Sequence, residues 1–333
     1  MRKDKCRTLS EERLRLISQV AWLYHQRGLT QQQIADHLDI SRARVIKLLA
    51  TAVEEGIVRI TVNSPYVETF ELERRLCATF GLQEAIIVAS SNDPERLKQS
   101  LGSAGASYLE RSLTQGDILG TSWGTTIFAV ARQLQPRRLL PDLTVVQLIG
   151  GLTTSQGANP LDVAKIIADK YGASYLGLFA PAVVDSKSIK DTLLSDHSIK
   201  RVFGVAQLAT KALIGIGTPN LASSLANTGF ASPDALQDVA ARRGVGDLVG
   251  RFFDIHGQPI ASELDERTVS LPLHKVKEIP CVIAVAGGPS KGQAILGALR
   301  GNYVDILITD ENTAYSLIHL GAELESPPSL EGI

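Results

Sequence analysis

Apolar positions recur along this chain with two different spacings, and the change from one to the other divides it. From Glu12 to Gln26 they return every three or four residues at Leu16, Val20 and Leu23, with Ile17, Ala21 and Tyr24 widening the stripe. That is the spacing of one helical face. Gly28 is placed to end the helix. Thr30 then caps a short helix from Gln31 to Leu38, with Gln33 at the capping-box position. Asp39-Ile40 forms a turn, Ser41 caps a third helix running to about Glu55, and Gly56 stops it. Ile57 to Val62 is rich in β-branched residues and reads as a strand. Asn63-Ser64-Pro65 is the first clear break, so the expected domains are residues 1–63 and 64–333.

Beyond the break, Val67 to Phe80 predicts an amphipathic helix ended by Gly81. It offers a route for coupling the two domains, or plain packing on a sheet. Short apolar runs then alternate with helical segments. The runs are Ala85–Ala89, Ile118–Gly120, Thr144–Ile149, Ser174–Phe179, Ala212–Ile216, Cys281–Ala286 and Asp305–Ile308. Between them, Pro94–Leu113, Thr125–Leu134, Pro160–Tyr171, Asp196–Ala209, Gln293–Leu299 and Glu311–Leu320 read as helices. Strands that are apolar throughout, alternating with helices, indicate a parallel sheet covered on both faces.

Composition narrows the class. Of 333 residues, 44% are hydrophobic and 21% charged, enough apolar surface for a sizeable core, which excludes disorder across the whole chain. No run approaches the ~18 uncharged apolar residues needed to cross a bilayer. Met1-Arg2-Lys3-Asp4-Lys5 leads into no apolar run, so no secretory signal is expected. The three cysteines lie far apart and the six histidines show no metal spacing, which makes a reducing cytoplasm the expected home, with no metal and no resident cofactor. The net charge of −1 conceals a split. Residues 1–63 carry eleven Lys and Arg against seven Asp and Glu, whereas the remainder carries 23 against 28. A basic head on an acidic body suggests a polyanion partner for the head.

The head supplies a matching motif. Residues 31–50 fit two short helices packed at a large angle, with Ala35 small enough for close contact and Ile34, Leu38, Ile40, Val45, Leu48, Leu49 and Ala52 forming a small core. The other side of the third helix shows Ala43, Arg44, Lys47 and Thr51, with Arg42 and Ile46 at its edges. Arg42 and Arg44 are candidates for base edges in a duplex, Lys47 for bases or phosphates, and Ala43 for a thymine methyl. Gln31, Gln32 and Ser41 sit at helix N-termini, where backbone N–H groups favour phosphate. Asp39 stands where such turns usually have glycine, and aspartate tolerates left-handed geometry better than most residues. The alternative is a three-helix bundle whose basic residues are merely solvated.

In the body, glycines cluster at strand ends. Gly120-Thr121-Ser122-Trp123-Gly124-Thr125-Thr126 closes a strand and opens a helix, bringing hydroxyls to free backbone N–H groups. Gly150-Gly151 with Asn159-Pro160, Gly215-Ile216-Gly217-Thr218 and Gly287-Gly288-Pro289-Ser290-Lys291 close others. Loops at the carboxyl ends of parallel strands form a ligand crevice, although glycines there also serve ordinary tight turns. Hydroxyls, small residues and one lysine suit a phosphorylated, hydroxyl-rich molecule, and Asp247 would accept hydrogen bonds from sugar hydroxyls. Nucleotide motifs fail: a Walker loop needs Lys-Ser/Thr where Gln293 stands, and Gly215-x-Gly217 lacks the third glycine of a dinucleotide fingerprint.

The ordered set of a helix-turn-helix ending in Glu-Gly-Ile-Val, then Gly-Thr-Ser-Trp-Gly-Thr-Thr, Val-Val-Gln-Leu-Ile-Gly-Gly, Asn-Pro, Gly-Ile-Gly, Gly-Val-Gly-Asp…Phe-Phe-Asp and Ala-Gly-Gly…Lys resembles the SorC/DeoR-type sugar-responsive transcriptional regulators of bacteria. The resemblance spans nearly the whole chain. It implies an α/β protein in which a winged helix-turn-helix is joined to a Rossmann-like effector domain related to phosphosugar isomerases and deaminases. It further implies homotetramers on operator DNA, controlled by a phosphorylated sugar or polyol. Carried over, it assigns Ser122, Gly124, Thr125 and Thr126 to phosphate, and Gly150, Gly151, Asn159, Asp247 and Lys291 to the rest of the pocket. An enzyme is the alternative. Glucosamine-phosphate deaminases continue their Gly-Ile-Gly with Asp-Gly-His, whereas this chain reads Thr218-Pro219-Asn220 and lacks that histidine and its acidic partner.

Overall fold

The computed structural model of the protein describes residues 10–61, 64, 66–152, 159–220 and 224–322. The chain forms two compact units, Met1–Val67 and Glu68–Ile333. In the first, α1 (Glu11–His25), α2 (Gln31–Leu38) and α3 (Arg42–Glu54) enclose a core of Ile17, Val20, Leu23, Ile34, Val45, Leu48 and Ala52. Each helix starts where its sequence caps it. Ser10 and Ser41 accept from the N–H three residues on, and Thr30 and Gln33 form the full capping box. Such a cap contributes about 1 kcal/mol. Asp39 ends α2 at φ 51°, in the left-handed region, so α3 starts in a new direction after one turn.

The strand expected over Ile57–Val62 does not form in its described part, which ends at Thr61. A strand needs a partner for its N–H and C=O groups, and no second strand lies among the described residues of this unit. Val58 instead donates its N–H to Ala52 O, and Ile57 and Val58 pack against the helical core.

The second unit carries α4 (Val67–Phe80) and then a seven-stranded sheet: β1 (Glu84–Val88), β2 (Ile118–Thr121), β3 (Thr144–Gln147), β4 (Ser174–Leu176), β5 (Lys211–Ile214), β8 (Val282–Val285) and β9 (Ile306–Asp310). Their spatial order is β1-β9-β8-β5-β2-β3-β4, and every neighbouring pair is parallel. A separate antiparallel hairpin, β6 (Gly244–Leu248) and β7 (Arg251–Asp254), lies outside that sheet. One face of the sheet packs on α5 (Pro94–Ser112), α6 (Thr125–Gln133) and α7 (Pro160–Tyr171). The other packs on α4, α9 (His197–Ala206), α14 (Gly292–Arg300) and α15 (Glu311–Ala322). Cover on both faces is why the strands are buried along nearly their whole length. Shorter helices α8 (Lys187–Ser195), α10 (Ser224–Asn227), α11 (Pro233–Ala241), α12 (Glu263–Arg267) and α13 (Leu273–Lys277) fill the connections. The sequence pattern predicts the seven main strands and the long helices to within a few residues, but not the hairpin, α8, or α10 to α13.

Close packing places demands on small residues. A Cβ on Gly105 of α5 would meet Val130 of α6 at 2.6 Å, so these helices approach where the side chain is absent. At Asp39 the demand is on conformation. We expect Asp39→Val to lower the stability of the first unit by about 1–2 kcal/mol, since a β-branched residue resists φ above zero. Asp39→Gly should leave it unchanged or raise it, as thermal unfolding of the two variants will show.

Candidate functional site

The sheet topology creates a crevice. The connection leaving β2 leads to β3, while that leaving β5 leads away toward β8 and β9, yet β2 and β5 are neighbours. Chains diverging in this way leave a gap at the carboxyl ends of the strands, the common ligand position in doubly wound sheets. Here a cavity of about 150 Å³ fills it, walled by the loops that follow β2, β5 and β8 and by the β6–β7 hairpin.

The β2 wall contains Ser122, Trp123 and Gly124 and opens α6 with Thr125 and Thr126. Gly124 takes φ 124°, a conformation that suits glycine alone, and no side chain caps the helix. The first N–H groups of α6 therefore keep their capacity to bind an acceptor, at the positive end of the helix dipole. Ser122 plays a different part. It is buried, and its Oγ accepts the Gly215 N–H at 3.2 Å, tying the β2 loop to the β5 loop. Trp123 stacks on Phe230 with ring centroids 5.6 Å apart and, with Leu225, makes the wall apolar.

Across the cavity, Gly217 and Asp247 exchange two backbone hydrogen bonds of 3.0 and 3.2 Å. A Cβ on Gly217 would stand 1.8 Å from Asp247 Oδ1, so the carboxylate occupies space that only glycine leaves free. Asp247 is 4% exposed. Its Oδ2 accepts the Gly250 N–H at 3.1 Å, while Oδ1 has no partner. Burial raises its pKa to about 6, against the opposing pull of Lys291 and the Gly250 N–H. The hairpin turn that positions it is strained. Val249, another wall residue, takes φ 49°, and Gly250 takes φ 75°, left-handed values that the tightest hairpins require and a β-branched residue resists.

Lys291 comes from the β8 loop and donates from Nζ to Ile216 O at 2.8 Å. Burial lowers its pKa, and the nearby Asp247 charge opposes that. The two charged groups share the cavity without a direct ion pair. Their loop is held from behind by Asp310, whose Oδ1 accepts the Gly288 N–H at 2.7 Å and the Thr313 hydroxyl at 2.6 Å.

Six of the nine residues expected at an effector site thus line one cavity: Ser122, Gly124, Thr125, Thr126, Asp247 and Lys291. Gly150, Gly151 and Asn159 are not in its lining and form a cluster of their own. Asn159 caps α7 through the Leu161 N–H and donates to Leu152 O, and Gly151 bridges to Pro181. Trp123, Leu225 and Val249 are wall residues that the sequence reading did not select. Trp123 was visible within its motif, but nothing in the sequence singled out Leu225 or Val249.

On the first unit, the residues expected to meet DNA divide. Arg42, Ala43, Arg44 and Lys47 are exposed. Gln31 is half-buried, Gln32 donates to Asp36 at 2.8 Å, and Ser41 Oγ is used as the α3 cap. Arg44 and Lys47 line a groove with Ser10 and Arg13 of the α1 start, whereas Arg42 and Ala43 do not.

Residues 64–319 match the family described as "Putative sugar-binding domain". The deoxyribonucleoside regulator of Bacillus subtilis (strain 168) is 33% identical over 313 residues, 93% of this chain and 99% of that protein. The erythritol catabolism regulatory protein EryD of Brucella abortus (strain 2308) is 32% identical over 305 residues, covering 91% and 96%. The crystal structure of the full-length sorbitol operon regulator SorC from Klebsiella pneumoniae superposes with a TM-score of 0.71 at 32% identity, covering 92% of this chain and 98% of that one. The chain belongs to this family of SorC/DeoR-type, sugar-binding transcriptional regulators.

In this SorC/DeoR-type chain the buried carboxylate has a testable consequence. Because Asp247 holds its proton more tightly folded than unfolded, the folded state is favoured by that proton at low pH. The advantage fades as pH rises from about 4 to about 6, and above that the charge burdens the fold by on the order of 3 kcal/mol. Lys291 would lose a favourable neighbour if the charge were removed. Asp247→Asn should therefore raise stability at pH 8 by a smaller net amount, roughly 1 kcal/mol, and change it little at pH 4. Urea unfolding at the two pH values measures both. Gly217→Ala should destabilise at either pH, since its Cβ displaces the carboxylate.

Proposed function

We propose that the cavity binds a phosphorylated sugar or polyol and that its occupancy changes the affinity of the helical head for operator DNA. The observation that carries this reading is the chemistry of the cavity: uncapped N–H groups of α6 and a lysine for the phosphate, facing a buried carboxylate with one unused acceptor for a hydroxyl. A helix N-terminus with Thr125 and Thr126 is a ready anion cradle. Asp247 Oδ1 gains from any hydroxyl that donates to it, because an unpaired buried acceptor costs about 1–3 kcal/mol. The relatives named for sorbitol, erythritol and deoxyribonucleosides support carbohydrate-type chemistry.

The head is a helix-turn-helix in this reading, with α3 entering the major groove, Arg42 and Arg44 reaching base edges, Ala43 meeting a thymine methyl and Lys47 serving bases or phosphates. Gln31, Gln32 and Ser41 lie at the starts of α2 and α3, where backbone N–H groups meet phosphate. The protein works as a homo-oligomer, a tetramer by its resemblance, so that two heads engage two half-sites. Gly150, Gly151 and Asn159 border the effector side as a secondary cluster. Control is linkage: a ligand that binds one arrangement better than the other shifts DNA affinity by that same difference. No catalysis is assigned. Asp247 and Lys291 are the titratable side chains of the cavity lining, and their roles here are hydroxyl and phosphate recognition. No described helix is long and apolar enough to cross a membrane.

A thermal-shift screen of sugar and polyol phosphates tests the reading, since a ligand at a hundredfold excess over Kd stabilises the native state by about 2.7 kcal/mol. Thr125→Ala and Lys291→Ala should abolish the shift and leave promoter binding intact. Lys47→Ala should weaken promoter binding tenfold or more and leave the shift intact. Equal losses in both assays would overturn the division of labour, and turnover of a sugar phosphate by the purified protein would favour an enzyme.

A further inference from the structure

At about 100° per residue, the exposed arc of α3 has two parts. Arg42, Ala43, Ile46 and Ala50 occupy one, and Arg44, Lys47 and Thr51 lie roughly a third of a turn further round. The second part meets the start of α1. Between them runs a groove of about 550 Å³ with Leu16 and Leu48 as its apolar floor. Three cations line it, Arg13, Arg44 and Lys47, against the single carboxylate of Glu12. Among the described residues none of these four side chains is held in an ion pair or hydrogen bond. Three like charges converging on a concave surface repel one another, and the one carboxylate of the lining, Glu12, offsets only one of them.

We infer that this groove is a seat for a phosphate of the DNA backbone, with Arg13 as an unassigned contact residue and Arg44 turned from base reading to phosphate. The inference rests on the reading of the head as DNA-binding and refines it. A recognition helix presents one arc to the base edges and needs separate contacts that set its depth and register, and these go mostly to phosphates. The groove has the required chemistry: cations that bond to phosphate oxygens, arriving from two helices, so that one anion clamps α1 to α3. Arg42 and Ala43, on the first arc, are left to face the bases.

Phosphate and base contacts leave different signatures. A phosphate contact weakens binding to every sequence alike and takes about one unit from the slope of log K against log salt, whereas a base contact affects the cognate sequence. The measurement is fluorescence anisotropy of the full-length protein on two labelled duplexes, the sequence upstream of its own gene and a scrambled version of equal length, across a salt series. Arg13→Ala is expected to weaken both about equally, by five- to tenfold, and to reduce the salt slope by about one. Arg13→Lys, which keeps the charge on an exposed position, should restore the slope. Arg42→Ala should instead narrow the ratio between the two duplexes. An unchanged slope in Arg13→Ala, or a loss confined to the upstream duplex, would overturn the assignment while leaving DNA binding standing. A wild-type protein that binds neither duplex would overturn both.

Discussion

The contact on which the rest of the effector unit turns is that of Asp247 against Gly217. A carboxylate is buried at a strand edge, one oxygen satisfied by the Gly250 N–H and the other packed against Gly217 with no donor. Burial alone would drive such a group to neutrality, and its pKa of about 6 shows the pressure. The arrangement persists because the cost is met around it: Lys291 supplies an opposing charge, and Gly217 omits the Cβ that would occupy the same space. The strained turn at Val249 belongs to the same arrangement, since it is what brings Asp247 to the gap between β2 and β5. Strained and unsatisfied groups cluster where a ligand completes them.

Around that contact, buried side chains tie the cavity loops together. Ser122 links the β2 and β5 loops, and Asp310 fixes the β8 loop through Gly288. Both side chains are buried, and both spend their hydrogen bonds on backbone or neighbouring side chains of the scaffold. Arg251, beside the hairpin, does likewise: its guanidinium bonds to Ser270, Thr268 and Asp265 and has no donor left for a ligand. The polar groups of this unit therefore divide into those that build the walls and those left with unused capacity. At the cavity the second set comprises the α6 N-terminus with its two threonines, Asp247 Oδ1 and Lys291.

The head follows a different economy. Its core is small, and its helices are set by caps and by one left-handed turn at Asp39, while Arg13, Arg44 and Lys47 stay exposed with no ion pair among the described residues. Relatives named for sorbitol and erythritol match 92% and 91% of this chain, in which one unit has an unfilled acceptor and the other a groove rich in cations. Each lacks what its proposed ligand supplies.

Periodicity and caps carried far in the sequence. Helices α1 to α7 and the seven strands of the main sheet are legible because a buried helix stripe and a doubly covered strand each need a definite apolar spacing, and because Ser, Thr, Asp, Asn and Gly stand at their ends. The hydroxyl-rich loop after β2, Asp247 and Lys291 were legible as residue types suited to a phosphorylated ligand. Their meeting was not, since they lie more than 160 residues apart from first to last and only the strand order β8-β5-β2 brings their loops to one gap. The hairpin is not legible in the sequence, because Val249-Gly250 lacks the Asn-Gly or Asp-Gly that usually marks such a turn. The strand expected after Gly56 failed for the opposite reason: β-branched residues favour an extended chain, but only a partner strand can make it a strand. Asn159 and Gly151 lie outside the lining of that cavity and make capping and bridging contacts of their own. Local order was thus determined along the chain, and which groups were left unsatisfied was decided by how the chain packed.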